Sequence, residues 1–410
     1  MRTSSFPFAS RKKLATRLMG QRFWIVIVFT IAVLLSGYFF LSGKALADAA
    51  VPGQPTSLSG TTGNQQVTLS WGAATDATGY LIGETDLENG QTVQLPTVVT
   101  TTATTLTGLQ VGHWYRFNVT PVNGTTQGPA SSAVEIRTTG YSGSYDNYYA
   151  LGDSYSSGDG APPYSGVSGC YRSTNVYSYL LGNGAPSPTL IACSGAVTAN
   201  IDQTVQSSVT QTQLGQLLSS PRGKTLITLT IGGNDVGFSS ELTKCITSFT
   251  SCKSDASTVA QKITALQARL VQIYGELRSA APGADIIIAG YPLLVANPSI
   301  ADCHNPIVYT GLGAGEMTMI RTLAAQLDSV IATAATQAGV SNAAAQVEQA
   351  FAGHEACTKV ESQEWINEIA GLNDSLHDSF HPNSAGYQAM AGAVNSARNS
   401  LYQSGMVRVG

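Results

Sequence analysis

The feature that most constrains the fold is a change of hydrophobic period near residue 140. From about Val51 to Thr139, apolar and polar residues alternate, as in Val67-Thr68-Leu69-Ser70-Trp71 and Tyr115-Arg116-Phe117-Asn118-Val119. Such alternation puts every second side chain on one face, so these segments are half-buried strands. About seven of them, separated by Gly, Pro and Asn turns, predict an all-β sandwich. Beyond residue 140 the apolar residues form near-continuous runs: Tyr148–Leu151, Thr189–Ala192, Leu226–Ile231 and Ile286–Ala289. Runs of that kind suit parallel strands buried on both faces. Between them Val259, Ile263, Leu266, Leu270, Ile273 and Leu277 recur at helical spacing, with Pro282-Gly283 as a stop. Further helices are expected over about Met317–Gln337 and Ser384–Leu401. Strands alternating with helices predict an α/β/α sandwich with right-handed crossovers. Its catalytic groups belong at the carboxyl ends of the strands.

The first 47 residues fit neither pattern. Six Arg and Lys residues between Arg2 and Arg22 precede an uncharged apolar run from Phe23 to about Leu41, followed by Ala45-Leu46-Ala47. Basic region, apolar run and small-x-small site together predict an export signal cut after Ala47. Left uncut, residues 23–41 are long enough to anchor the chain in a bilayer. In both cases the remainder is expected outside the cytoplasm, secreted or membrane-anchored. Cleavage removes seven of the 21 basic residues and none of the 25 acidic ones, leaving 14 against 25 and a net charge of −11. That balance argues against nucleic acid or an anionic membrane as partner. The six cysteines, Cys170, Cys193, Cys245, Cys252, Cys303 and Cys357, all lie beyond the signal. An even count in an oxidising compartment predicts disulfides, with 15 pairings open in principle. None has metal-site spacing, so no metal and no cofactor is expected.

Four segments carry the groups that ester hydrolysis needs. Ser154, in Gly152-Asp153-Ser154-Tyr155-Ser156-Ser157-Gly158, follows the first parallel strand and can present its hydroxyl at a strand-to-helix junction. In Ala192-Cys193-Ser194-Gly195-Ala196 the Gly195 amide can approach a developing oxyanion, because glycine lets the backbone come close. Gly232-Gly233-Asn234-Asp235 follows the strand Leu226–Ile231; Asn234 offers an uncharged amide donor, and Asp235 a structural cap. Last come two tandem Asp-x-x-His units, Asp374 to His377 and Asp378 to His381. A serine nucleophile needs a base and an orienting group behind it. His381 stands at the rigid boundary Pro382-Asn383-Ser384 and is the expected base, whereas His377 is expected at the surface. There is no Gly-x-x-x-x-Gly-Lys-Ser/Thr phosphate loop and no Gly-x-Ser-x-Gly elbow at the serine.

In order and spacing, these four segments resemble the signature blocks of the SGNH/GDSL hydrolases over about Tyr145 to Gln403. The resemblance implies a flavodoxin-like three-layer α/β/α domain and an ester substrate. It implies Ser154 as nucleophile, His381 as base and acid, and Asp378 as its orienting partner. The oxyanion hole would come from the Ser154 amide, the Gly195 amide and the Asn234 side chain. Cys170-Tyr171-Arg172-Ser173, Gln211-x-Gln213-Leu214 and Phe351-x-x-His354-x-x-Cys357 with Trp365-Ile366 resemble the secreted actinobacterial-type esterases and lipases. That branch implies sequential disulfides, Cys170–Cys193, Cys245–Cys252 and Cys303–Cys357, and a structural His354. In some of its members a backbone carbonyl two residues before the histidine, here that of Ser379, replaces the carboxylate.

The sandwich segment resembles a fibronectin type III domain through Pro52–Pro55, Val67-x-Leu69-x-Trp71, Gly79-Tyr80-x-Ile82 and Leu109-x-x-Gly112-x-x-Tyr115. Trp71 is then the core tryptophan, and Tyr115 closes a tyrosine corner near Leu109. His113 and Trp114 beside it are expected at the surface. These readings divide the chain into 1–47, 51–139, a linker at 140–144, and the hydrolase domain at 145–405. The sandwich is a spacer or a contact for carbohydrate or the cell surface. The favoured activity is an esterase or lipase. The alternative is a carbohydrate acetylesterase, since such sandwiches accompany polysaccharide-degrading enzymes. A non-catalytic binding protein would be expected to lack Ser154, Asn234 or His381, and all three are present.

Overall fold

In β2 (Gln66–Gly72) the apolar residues Val67, Leu69 and Trp71 are buried and the polar residues between them are exposed, as the alternation requires. This strand lies between β1 (Thr56–Gly63) and β5 (Ala103–Thr107) in one antiparallel sheet. The facing sheet holds β3 (Gly79–Asp86), β4 (Thr92–Gln94), β6 (Trp114–Asn123), β7 (Thr126–Gln127) and β8 (Val134–Arg137). Trp71 meets Tyr80 edge to face, ring centres 5.3 Å apart, and the Tyr115 hydroxyl accepts from the Gln110 amide at 2.8 Å, closing the tyrosine corner. The computed structural model describes residues 50–140, 144–182, 184–218, 223–238, 244–245, 255–304, 312–368 and 376–409. The export segment, Asp374 and Cys252 lie outside the described residues.

The second half is a three-layer α/β/α sandwich. Its parallel sheet comprises β9 (Asn147–Gly152), β10 (Thr189–Leu190), β11 (Thr225–Thr230), β12 (Asp285–Ile288) and β13 (Ser341–Asn342). Their order is β10-β9-β11-β12-β13, the flavodoxin-like doubly wound arrangement. All residues of β11 and β12 are buried, which is why their sequences read as unbroken apolar runs. The short helices α1 (Ser154–Ser157) and α2 (Gly233–Val236) follow β9 and β11. Four longer helices are α3 (Ala256–Ala280), α4 (Ala314–Ala338), α5 (Ala344–Phe351) and α6 (Ser384–Ser404). All six periodic residues of α3 are buried, and the helix stops just before Pro282-Gly283. The expected strand Thr189–Ala192 is shorter: the amides of Ile191 and Ala192 both donate to the Ala150 carbonyl, at 2.8 and 2.9 Å, so the ladder ends there. Disulfides join Cys170 to Cys193 and Cys303 to Cys357 in the expected sequential order, and Cys245 is itself disulfide-bonded.

One expectation about the sandwich fails outright: Trp114 is not at the surface but fully buried. After α6 the chain returns as β14 (Met406–Val409), which pairs antiparallel with β8 and becomes an edge strand of the sandwich. Beneath it the Asp285 carboxylate, at the start of β12, accepts from Arg137 Nε (2.8 Å), Arg137 Nη2 (3.1 Å), Trp114 Nε1 (3.1 Å) and the Tyr145 hydroxyl (2.7 Å). The Arg408 guanidinium lies 3.4 Å from the centre of the Trp114 ring. Residues Val51–Gly410 accordingly form one compact unit. His113, also expected at the surface, is half-buried against Asp86 at 3.1 Å.

Candidate active site

Parallel strands point the same way, so the loops after β9, β10 and β11 meet along one edge of the sheet. The first is anchored by Gln213, which accepts from the Gly152 amide at 2.7 Å and donates to its carbonyl at 2.8 Å. Asp153 caps α1 by accepting from the Tyr155 amide at 3.1 Å, and it also accepts from the Tyr291 hydroxyl. Burial pushes the Asp153 carboxyl up to about 7. Ser154 opens α1 with its hydroxyl 2.7 Å from Nε2 of His381.

His381 comes from the segment before α6. Asn383 caps that helix by accepting from the Ala385 and Gly386 amides at 3.0 and 3.1 Å. The His381 carbonyl accepts from the Asn367 amide at 2.9 Å, and the Tyr155 ring lies 5.2 Å from the imidazole. Burial lowers the imidazole pKa below its ordinary 6.5, opposed by the Asp159 carboxylate, the Ser379 carbonyl and Asp378. A neutral imidazole facing a serine hydroxyl is the form a general base needs.

The orienting group is less simple than an Asp-x-x-His pattern suggests. The Asp378 carboxylate accepts from the Tyr164 hydroxyl and, at 3.3 Å, from the Gly160 amide; it also lies 3.0 Å from Nδ1 of His377. Nδ1 of His381 is buried and makes no hydrogen bond of good geometry among the described residues. The backbone carbonyls of Ser379 and His377 lie where they favour the protonated ring. His377 is partly exposed, as a residue near the surface, but it is held: its Nδ1 lies 2.6 Å from the buried Asp159 carboxylate, and its ring stacks on Tyr171 at 3.7 Å. Asp159, His377 and Asp378 group their donor atoms within 4.8 Å, but hydrogen bonds inside the protein already engage them.

The second loop carries Gly195, held at φ +76° with open space where a Cβ would stand. Its neighbour Cys193 donates its amide to the Gly152 carbonyl at 3.0 Å and is fixed through the disulfide to Cys170. In the third loop, Nδ2 of Asn234 donates to the Ala196 carbonyl at 2.9 Å, leaving its second amide hydrogen for another acceptor. Asp235 accepts from the Thr198 amide and hydroxyl at 2.9 and 2.6 Å, a structural tie rather than a cap of its own helix. His354 also acts structurally: its ring stacks on that of Trp365, centres 3.6 Å apart, and its Nδ1 lies 2.7 Å from the Gln363 carbonyl. Sequence reasoning missed Asp159 and Tyr291. The acidic residue between Gly158 and Gly160 was the one available signal for the former, and nothing local marks the latter.

The chain matches the GDSL-like Lipase/Acylhydrolase family over residues 150–389 and the fibronectin type III domain over residues 53–137. Lipase 1 of Streptomyces coelicolor is 34% identical over 247 residues, 59% of this chain and 82% of that protein. The solved extracellular lipase of Streptomyces rimosus is 30% identical, covers 61% of this chain and 99% of its own, and gives a TM-score of 0.51. Phospholipase A1 of Streptomyces albidoflavus NA297 is 31% identical, covers 62% of this chain and all of its own, with a TM-score of 0.50.

Proposed function

The chain belongs to the GDSL-like lipase and acylhydrolase family and is an ester hydrolase, and from that premise we propose that it cleaves carboxylic esters through an acyl-Ser154 intermediate. The observation that carries this reading is the 2.7 Å contact between the Ser154 hydroxyl and Nε2 of His381 at the carboxyl edge of the sheet. Ser154 Oγ attacks the ester carbonyl while His381 takes its proton. The tetrahedral oxyanion accepts from the Ser154 and Gly195 amides and from Nδ2 of Asn234, donors preorganised before charge develops. His381 then protonates the leaving alcohol, and in the second half it activates the water that releases the acid. The Ser379 carbonyl, two residues before the histidine, orients the imidazole, because the Asp378 carboxylate is held by Tyr164 and Gly160.

The substrates are lipid or shorter acyl esters, in keeping with the names of the relatives. The protein acts outside the cytoplasm after cleavage behind Ala47; the two disulfides between described cysteines suit an oxidising compartment. Among the described residues no helix is long and apolar enough to cross a membrane. Purified Ser154→Ala protein is expected to fold and to lose turnover of p-nitrophenyl esters by at least about 10³-fold. Turnover near the wild-type rate would end the acyl-enzyme reading. A panel from acetyl to palmitoyl esters, with acetylated xylan alongside, separates esterase, lipase and carbohydrate deacetylase.

A further inference from the structure

The Asp159 carboxylate is a buried group at the site to which the mechanism above gives no task. Helix α1 ends at Gly158, and the amides of Gly158 and Asp159 both donate to the Ser154 carbonyl at 3.1 Å, so the chain doubles back beneath the nucleophile. One residue later Gly160 has φ +92° and presses against the histidine: a Cβ there would stand 2.7 Å from the His381 Cβ. Only glycine fits, and the contact sets the turn that carries Asp159 against the histidine segment. Its side chain is fully buried. The carboxylate accepts from the Ser194 hydroxyl at 2.7 Å, one residue before Gly195, and lies 2.6 Å from Nδ1 of His377. Its carbonyl accepts from the Tyr387 hydroxyl at 2.7 Å, and that hydroxyl also lies 3.3 Å from the Ser154 carbonyl. Asp159 therefore ties together the nucleophile turn, the Gly195 loop and the histidine segment.

A carboxylate shut away from water is costly unless hydrogen-bonded partners compensate it; burial raises the Asp159 carboxyl above its ordinary 3.8, and His381, His377 and Ser194 oppose that rise. An imidazolium formed on His381 in the same closed site needs a negative charge nearby. We propose that Asp159, rather than Asp378, is the carboxylate whose charge steadies the His381 imidazolium, as a positioning residue acting through the field and the three loops it joins. This rests on the reading of Ser154 as nucleophile and His381 as base. The groups facing His381 are Ser154 and the Tyr155 ring from α1, Asp159 and Gly160 from the turn, and Asp378 with the His377 and Ser379 carbonyls from its own segment. Facing Asp159 are His377, His381 and Ser194, with the phenols of Tyr155, Tyr164 and Tyr387 in its field, each kept protonated by burial. Asp159 and Asp378 both oppose the effect of burial on His381, but Asp159 is the more deeply buried of the two.

The test is the pH profile of kcat/KM on a soluble p-nitrophenyl ester, measured on the full-length protein. A base works when unprotonated, so a charge that favours the imidazolium raises the midpoint of the acid limb. Asp159→Asn removes that charge; the limb is expected to move down by about one pH unit, the scale of one close opposite charge. Turnover at the optimum should fall about ten- to a hundred-fold, with KM within about two-fold, since a lost transition-state interaction lowers kcat and kcat/KM together. Asp378→Asn should move the limb by clearly less than Asp159→Asn does. A limb unmoved in Asp159→Asn, or moved as far in Asp378→Asn, overturns the proposal. If Asp159→Asn does not fold, an NMR titration of the His381 imidazole in wild type and Asp378→Asn decides. A drop well under one unit in Asp378→Asn supports Asp159, and a drop of about one unit overturns it. Full turnover by Ser154→Ala sinks the acyl-enzyme reading itself; an inactive Ser154→Ala with an unmoved limb in Asp159→Asn sinks only the role given to Asp159.

Discussion

At the scale of single residues, Asn234 joins chemistry to structure. One amide hydrogen holds the Ala196 carbonyl at 2.9 Å and so steadies the Gly195 loop, while the other is available to an oxyanion. Asn234→Ala removes both. The loss of one such donor costs about 3–4 kcal/mol in the barrier, so kcat on p-nitrophenyl esters should fall about 10²- to 10³-fold by steady-state kinetics. A variant within about three-fold of wild type would show that the backbone amides suffice. Ser154, Gly195, Asn234 and His381 were legible in the sequence because each sits in a short motif whose local turn or cap depends on its own neighbours. The surroundings of His381 were not. Asp159 and His377 are 218 positions apart, and Tyr164 and Asp378 are 214 apart. No spacing rule reports which carboxylate a distant tyrosine will claim. The tandem Asp-x-x-His pattern offered His381 as the proposed base but could not say that the Asp378 carboxylate would bond to Tyr164 and Gly160.

At the scale of elements, buried periodicity carried the reading. The six apolar positions of α3 and the runs of β9, β11 and β12 are legible because one face, or both, must leave water. The polar pair Ser341–Asn342 in β13 escaped it, since two residues at a sheet edge have no periodicity to show. The loops after the strands are set by crosslinks as much as by pattern. Cys170–Cys193 closes a span of 23 residues and fixes the approach to Gly195. Restricting a loop of that length in the unfolded chain contributes roughly 3 kcal/mol. The double variant Cys170→Ser/Cys193→Ser is expected to lose about that much stability in urea unfolding, and to lose turnover as the Gly195 amide is released. Stability unchanged within about 0.5 kcal/mol would place the anchoring in the hydrogen bonds around Gly152 instead.

At the scale of the whole molecule, a fold boundary drawn from composition does not mark a mechanical one. The change of period near residue 140 located the two architectures, yet β14 carries the chain back from the hydrolase to complete a sheet of the sandwich. A four-residue strand after a helix can be read from sequence; its partner, β8, precedes the entire hydrolase, and no local pattern names it. The junction is built around Asp285, whose carboxylate would be raised by burial were it not for Arg137, which holds it below its ordinary 3.8. Replacing such an ion pair by apolar residues is often neutral, whereas removing one partner strands the other. Arg137→Ala leaves the buried Asp285 carboxylate hydrogen-bonded to the neutral donors Trp114 and Tyr145, without the guanidinium that matched its charge. It is therefore expected to cost about 3–5 kcal/mol in denaturant unfolding. Because the sandwich and the hydrolase share that junction and the β8–β14 pairing, unfolding should remain one cooperative transition, and ester turnover should be lost at the same midpoint as sandwich structure. Two separated calorimetric transitions in the wild type, with turnover following the second alone, would mean that the sandwich is a tethered spacer after all. A stop after Gly405 tests the same coupling without touching the ion pair: it removes β14 and Arg408 from above Trp114, and it should lower the midpoint of both domains together.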